Sequence, residues 1–311
     1  MNIVLKSTLI TMAVLMSLCT HAQTKREILE EDPMQVPNLR LEFTPLNMYI
    51  ANNSSAMWGA KASYRHKRLF SVSAEYKKEF YDNEEDWMDG SSYDYGKPFK
   101  GTVMEFTGTY YFAKKERESK ELLPIKTRAV GYKTYEVTVD PLMVTKTTLF
   151  GARVGFSNRK GTDGIWPLTM YEKSNPTNVL TDQLGYPLHT NNIGFAGLSA
   201  TRLKNIKVRY PGHGVRRKQN MREFYADFMY SVSNSFSDVM YDGKVFAVDP
   251  SSPLPKAGFR AGLLSTPTGK VVNFGYGLEA GLIPGQQLKT DYYFNLRFVL
   301  SFGAKVGLTE E

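Results

Sequence analysis

Eight ionised side chains stand in the middle of segments that are otherwise alternately apolar: Lys61, Glu75, Glu105, Arg153, Asp227, Arg260, Glu279 and Arg297. Four are basic and four acidic. Gathered into one space, they would either line a polar conduction path or pair with each other and fill it. The remaining candidates for chemistry are histidines. His66 and His213 lie in short polar turns, and His189 shares the long connection 158–191 with Asp182. A loop histidine is more often solvated than catalytic, and no serine has a histidine at a telling spacing. The stretch 81–95 crowds Asp82, Asp86, Trp87, Asp89 and Asp94 together. Its carboxylates permit calcium, but the spacing is no EF-hand, and a solvated surface loop is the plainer reading. These residues therefore predict no catalytic, cofactor or metal site.

The elements that hold the eight charges have a period of two. From Tyr292 to Phe302, Tyr292, Phe294, Leu296, Phe298, Leu300 and Phe302 alternate with Tyr293, Asn295, Arg297, Val299 and Ser301. That pattern is a strand with two unlike faces. The same alternation recurs around Trp58, Phe70, Phe106, Phe150, Phe195, Phe224, Phe259 and Phe274. A weaker segment, 39–50, is broken by Pro45, which interrupts the ladder or forces a bulge. The segment at 195–201 is too rich in glycine and alanine for its faces to be assigned. The total is about ten strands, with eight to twelve possible and an even number expected.

Every mid-strand charge falls on the face opposite the large apolar residues. A charge facing lipid at mid-membrane costs roughly 2–4 kcal/mol, so its exclusion from one face has a physical cause. Aromatics gather at the ends of the apolar faces (Trp58, Tyr64, Phe112, Phe156, Phe224, Tyr292, Phe302), as interfacial girdles do. The fold expected is an all-β transmembrane antiparallel up-and-down barrel.

Residues 1–22 have the form of a cleaved signal peptide: Lys6, an apolar stretch of about 12 residues that is too short to span a bilayer, and Thr20-His21-Ala22 before the cut. The single cysteine, Cys19, lies inside it, so the mature chain has no disulfide, thiol nucleophile or Cys-type zinc site. Beyond the signal no apolar run reaches about 18 residues, which leaves a closed barrel as the only way across a membrane. The net charge of +8 is scattered apart from Arg216-Arg217-Lys218, which argues against nucleic acid and for anionic headgroups.

Short turns near residues 66, 212 and 267 alternate with long connections at 81–100, 158–191 and 233–255. Barrels of this kind keep short turns on the periplasmic side. Residues 23–38 then form a periplasmic N-terminal tail, and 39–308 form the barrel. A periplasmic insert occupies 114–144, unless its alternating stretch 134–139 is itself a strand.

Signal, amphipathic strands, alternating connections and aromatic last strand together resemble the outer-membrane β-barrel proteins of Gram-negative bacteria, over nearly the whole mature chain. The chain departs from the usual pattern by running past Phe302 to Glu310 and Glu311. The Asp-x-His signature of the omptin barrel proteases is absent. The resemblance implies an outer-membrane location. The function expected is a non-catalytic structural or accessory component of the cell envelope with a salt-bridge-filled lumen. A narrow or gated channel for a small solute is the alternative, and a membrane hydrolase ranks third. Expected partners are outer-membrane lipid, lipopolysaccharide and another envelope protein bound through 114–144 or the long loops.

Overall fold

The computed structural model describes residues 26–50, 54–82, 101–131, 134–161, 169–180, 187–241, 243–249, 254–267, 272–285 and 292–306. The stretch expected to be a signal peptide (1–22) and most of the acidic loop (83–100), with Asp86, Trp87, Asp89 and Asp94, lie outside these residues, as does Asp182. In chain order the strands are β1 (Glu27–Glu30), β2 (Leu39–Ile50), β3 (Ser54–His66), β4 (Phe70–Asp82), β5 (Thr102–Gly131), β6 (Thr134–Gly161), β7 (Met170–Glu172) and β8 (Asn175–Leu180). They continue as β9 (His189–Tyr210), β10 (Gly214–Phe236), β11 (Val239–Tyr241), β12 (Lys244–Val248), β13 (Ala257–Pro267), β14 (Asn273–Leu282) and β15 (Tyr293–Ala304).

Ten of these form a closed antiparallel barrel in the order β9-β10-β13-β14-β15-β2-β3-β4-β5-β6, with β6 pairing back onto β9. Each expected segment is one barrel strand. Pro45 does break the ladder: the register of β2 shifts between Thr44 and Asn47 against β3, and the β15 ladder shifts opposite it. In β9, whose faces the sequence leaves open, Phe195 points inward and Leu198 outward.

The barrel is inverted relative to a water-soluble one. Phe106, Val154, Leu198, Phe228, Phe259 and Phe274 are exposed on the outside, while Glu105, Arg153, Asp227, Arg260, Glu279 and Arg297 are buried. On β10 the outward run Phe224, Ala226, Phe228, Tyr230 and Val232 spans nine residues between Arg222 and Asn234. That matches the roughly 9–11 residues of a membrane-crossing strand.

The short turns and both barrel termini share one end, here called the turn end. There the stretch 114–144, expected as an insert, continues β5 and β6 as a single hairpin, paired as far as Gly131 and Thr134. The β9–β10 hairpin also overruns its neighbour, continuing to Tyr210 and Gly214 after β10 has left β13 at Asn220. The two overhangs part at the Lys146–Lys204 pair and fold together, burying Leu123, Ile125, Leu142, Val144, Ile206, Val208 and Tyr210 between them. The apolar spacing that makes strands in lipid here makes a small two-layered wedge.

The described part of the expected N-terminal tail, residues 26–38, packs against the barrel. β1 adds to the edge of β9, with Glu27 opposite Arg209. A single 3-10 turn, Pro33–Gln35, capped by the Asp32 carboxylate, then carries the chain into the barrel mouth. At the opposite, loop end, the connections after β6 and β10 meet in a four-stranded sheet, β11-β12-β7-β8, which buries Met170 and Phe246.

Candidate functional site: a charged lumen closed at both ends

Alternation on ten strands turns every second residue inward, and the lumen contents separate into three layers. The middle layer is ionic. The Arg260 guanidinium donates to both oxygens of Glu105 at 2.6 and 2.9 Å, and through Nε to Asp227 at 2.9 Å. Arg153 donates to the same Asp227 carboxylate at 3.1 and 3.3 Å and to Glu223 at 2.6 Å. Arg297 donates to Glu75 at 3.1 Å, and Lys77 lies 3.4 Å from that carboxylate. Glu279 accepts from the Tyr225 hydroxyl, and from that of Tyr293 at 2.8 Å. The Arg153 guanidinium lies 4.2 Å over the Tyr225 ring and that of Arg260 lies 4.3 Å over Phe195.

Seven of the eight charges singled out from the sequence join this network. The eighth, Lys61, stands opposite Glu42 and Glu75 in the strand register and lines the remaining gaps without making one of these bonds. Glu223, Lys77, Tyr225 and Tyr293 belong to the network as well, beyond the eight charges at mid-strand. Parity alone finds them: Glu223 and Tyr225 precede Asp227 by four and two residues, and Lys77 follows Glu75 by two. Glycines make room for the large groups. A side chain on Gly262 would meet the Tyr225 ring, and one on Gly277 would meet the Arg297 side chain.

Apolar layers close both ends. Toward the loop end, Ile193, Phe195, Met229, Ile283 and Tyr293 pack together, with Tyr49 stacked on Tyr293 at 5.3 Å. Toward the turn end, Val36 is fully buried among Tyr111, Leu149, Leu203 and Met221. The chain segment carrying Val36 is tied down by polar bonds. Arg65 donates to the carbonyls of Val36 and Met34 at 3.1 and 3.4 Å. Asn205 donates to Glu30 and to the Asp32 carbonyl at 2.8 and 2.9 Å. Lys305 reaches Glu30 at 2.7 Å, and the Asn38 side chain bonds the Val306 backbone on both sides at 2.7 and 2.8 Å. No sequence pattern announces this closure, because each partner is distant in the chain.

Two gaps lined by these residues measure about 30 and about 10 Å³. A water needs about 10–15 Å³ on this measure, so they hold at most a few waters and no solute.

The histidines occupy structural positions. His189, expected in a loop, is instead the first residue of β9; it is buried, stacked on Phe236 at 4.6 Å, with Nε2 3.2 Å from the Asn234 side-chain oxygen. His66 stacks on Phe70 at 5.3 Å, and the His213 backbone N–H closes a turn onto Tyr210. Among the described residues no group of three or more His, Cys, Asp or Glu is placed to hold a metal ion.

Outside the barrel, Glu121 in the wedge receives Lys146, Lys204 and Lys218 at 2.8, 3.0 and 2.8 Å. Burial alone would raise its pKa, but the hydrogen bonds from Lys146, Lys218 and Lys204 outweigh that and hold it at about 2.

No family model matches the chain, and no curated protein is similar to it. Among solved structures it is similar to in-vitro folded OmpT, an outer membrane protein of Vibrio cholerae, at 8% identity over 89% of this chain and 99% of that one, with a TM-score of 0.19. A likeness of that size says nothing about activity. The barrel assignment stands on the closed strand ladder itself.

Proposed function

We propose that this protein is a sealed outer-membrane barrel, a non-catalytic structural or accessory component of the cell envelope. The observation that carries this reading is the filled lumen among the described residues, two apolar layers around an ionic one, with the gaps inside the ionic network and beside it measuring about 10 and about 30 Å³. A pore needs a continuous wet path, and aqueous channels accompany barrels of about 16–18 strands. The outward apolar belt supports residence in a membrane. The wedge is the natural element for meeting another envelope protein, since Leu122, Val139 and Met143 are left exposed on its free face. Planar-bilayer recording tests the sealed state. The expected result is no steady conductance, and a stable nanosiemens-scale pore overturns it.

A gated channel for a small solute is the second reading, favoured by one observation. The turn-end closure is made by 26–38, a segment separate from the barrel strands. Removing residues 26–36 separates the two readings: the sealed barrel stays silent because its ionic layer remains, whereas a gated channel opens.

A further inference from the structure

On the outer face of the barrel, at the turn-end margin of the apolar belt, Arg202 of β9 stands directly opposite Arg222 of β10. Both side chains are exposed. Like charges facing each other across a ladder repel, and proteins normally separate them or place an acid between them. Neither is done here. Continuing along the same row, Arg202 is opposite Thr148 of β6, and Thr148 is opposite Lys115 of β5. Neighbouring strands lie roughly 4.8 Å apart, so three cations and a hydroxyl share a strip about 15 Å long.

The contrast with the surrounding basic residues is informative. Lys146, Lys204 and Lys218 share Glu121, and Arg209 pairs with Glu27. The side chains of Arg202, Arg222 and Lys115 make no hydrogen bond or ion pair with any described residue. Two residues further into the belt lie Phe224 and Phe150, both exposed and apolar. An anion seated on the arginines would thus have hydrocarbon-compatible surface directly beside it.

We infer that Arg202, Arg222, Thr148 and Lys115 form a binding site for the headgroup phosphate of an anionic phospholipid in the inner leaflet of the outer membrane. Two guanidinium forks offer paired donors to one phosphate. Lys115 takes a second negative charge or a glycerol hydroxyl further along the row. The acyl chains run up the belt past Phe224 and Phe150. A lipid is the occupant, rather than a free anion, because the row borders the nine-residue membrane-length run of β10. This inference rests on the membrane reading above, with the turn end facing the periplasm.

The test uses the full chain after signal removal. It is first reconstituted in vesicles of phosphatidylethanolamine with and without phosphatidylglycerol and scored for flotation and protease resistance. Failure to integrate in either overturns the membrane reading itself. Native mass spectrometry in detergent then counts lipids retained when phosphatidylglycerol is titrated. The wild type should keep one phosphatidylglycerol, and R202Q/R222Q should bind it at least fivefold more weakly, with R222Q alone intermediate. K78Q/K256Q, which removes equal charge from the other end, should match wild type. Equal retention in all variants overturns the site. Displacement of the lipid by inorganic phosphate at matching concentration overturns the lipid as its ligand.

Discussion

Arg260 and Glu105 lie 155 positions apart in sequence and meet in the lumen through two hydrogen bonds of 2.6 and 2.9 Å. Their strands, β13 and β5, are not neighbours in the barrel, so the pair is a strut across the lumen. Removing one member leaves the other buried and uncompensated. Arg260→Met should therefore lower the unfolding free energy by about 3–5 kcal/mol, measured by urea titration in lipid vesicles. The double variant Arg260→Met/Glu105→Leu should recover much of that loss, because it strands no charge on this pair.

The seated N-terminal segment makes a separable prediction. Val36 has no exposed surface, and an unpaired carboxylate in its pocket would have to be desolvated. Val36→Asp should release residues 26–38 to protease while the barrel itself stays resistant. Cleavage mapped by mass spectrometry gives the answer, and an unchanged digestion pattern would show that the plug is held by its polar bonds alone.

Acid should loosen the wedge through Glu121. Its pKa in the folded protein, about 2, lies below the ordinary 4.5. A depressed carboxylate contributes stability that is complete above its unfolded pKa and lost as pH falls through the folded value. Amide protection of 204–210 should hold from neutrality to about pH 4.5 and decline between there and about pH 2. Glu121→Gln should show weaker protection at neutral pH and no such decline.

The outer face can be tested by placing a charge on it. Phe228 is 60% exposed at mid-belt, and Phe228→Arg should cost roughly 2–4 kcal/mol in a bilayer. Met240, 73% exposed on the loop-end sheet, should accept Met240→Arg with little effect. Equal effects at the two positions would mean that Phe228 does not face hydrocarbon.

Strand number and facing were readable because period two leaves only one way to separate Phe228 from Asp227, or Phe298 from Arg297. The same arithmetic turns all eight charges inward, with Glu223 and Lys77 beside them, but which carboxylate each arginine meets depends on strands distant in the chain. Three features were not readable. Ile206, Val208 and Tyr210 continue the lipid-facing pattern of β9, yet they meet the β5–β6 hairpin, since alternation states which side is apolar and not what covers it. His189 reads as a loop residue because the strand signal fades where β9 leaves the belt. Residues 23–38 read as a polar tail because Arg65, Asn205 and Lys305, which hold the described part of that stretch, lie far along the chain.

Those grips on the N-terminal segment also impose a sequence of events. Glu30 is bound by Asn205 and Lys305, and Asn38 by Val306, so the segment ahead of the first barrel strand takes its handholds from β9 and from the stretch following the final strand. The stopper therefore cannot be fully seated until the seam between first and last staves has been sewn. The turn-end layer around Val36 thus depends on both extremities of the strand order being in place.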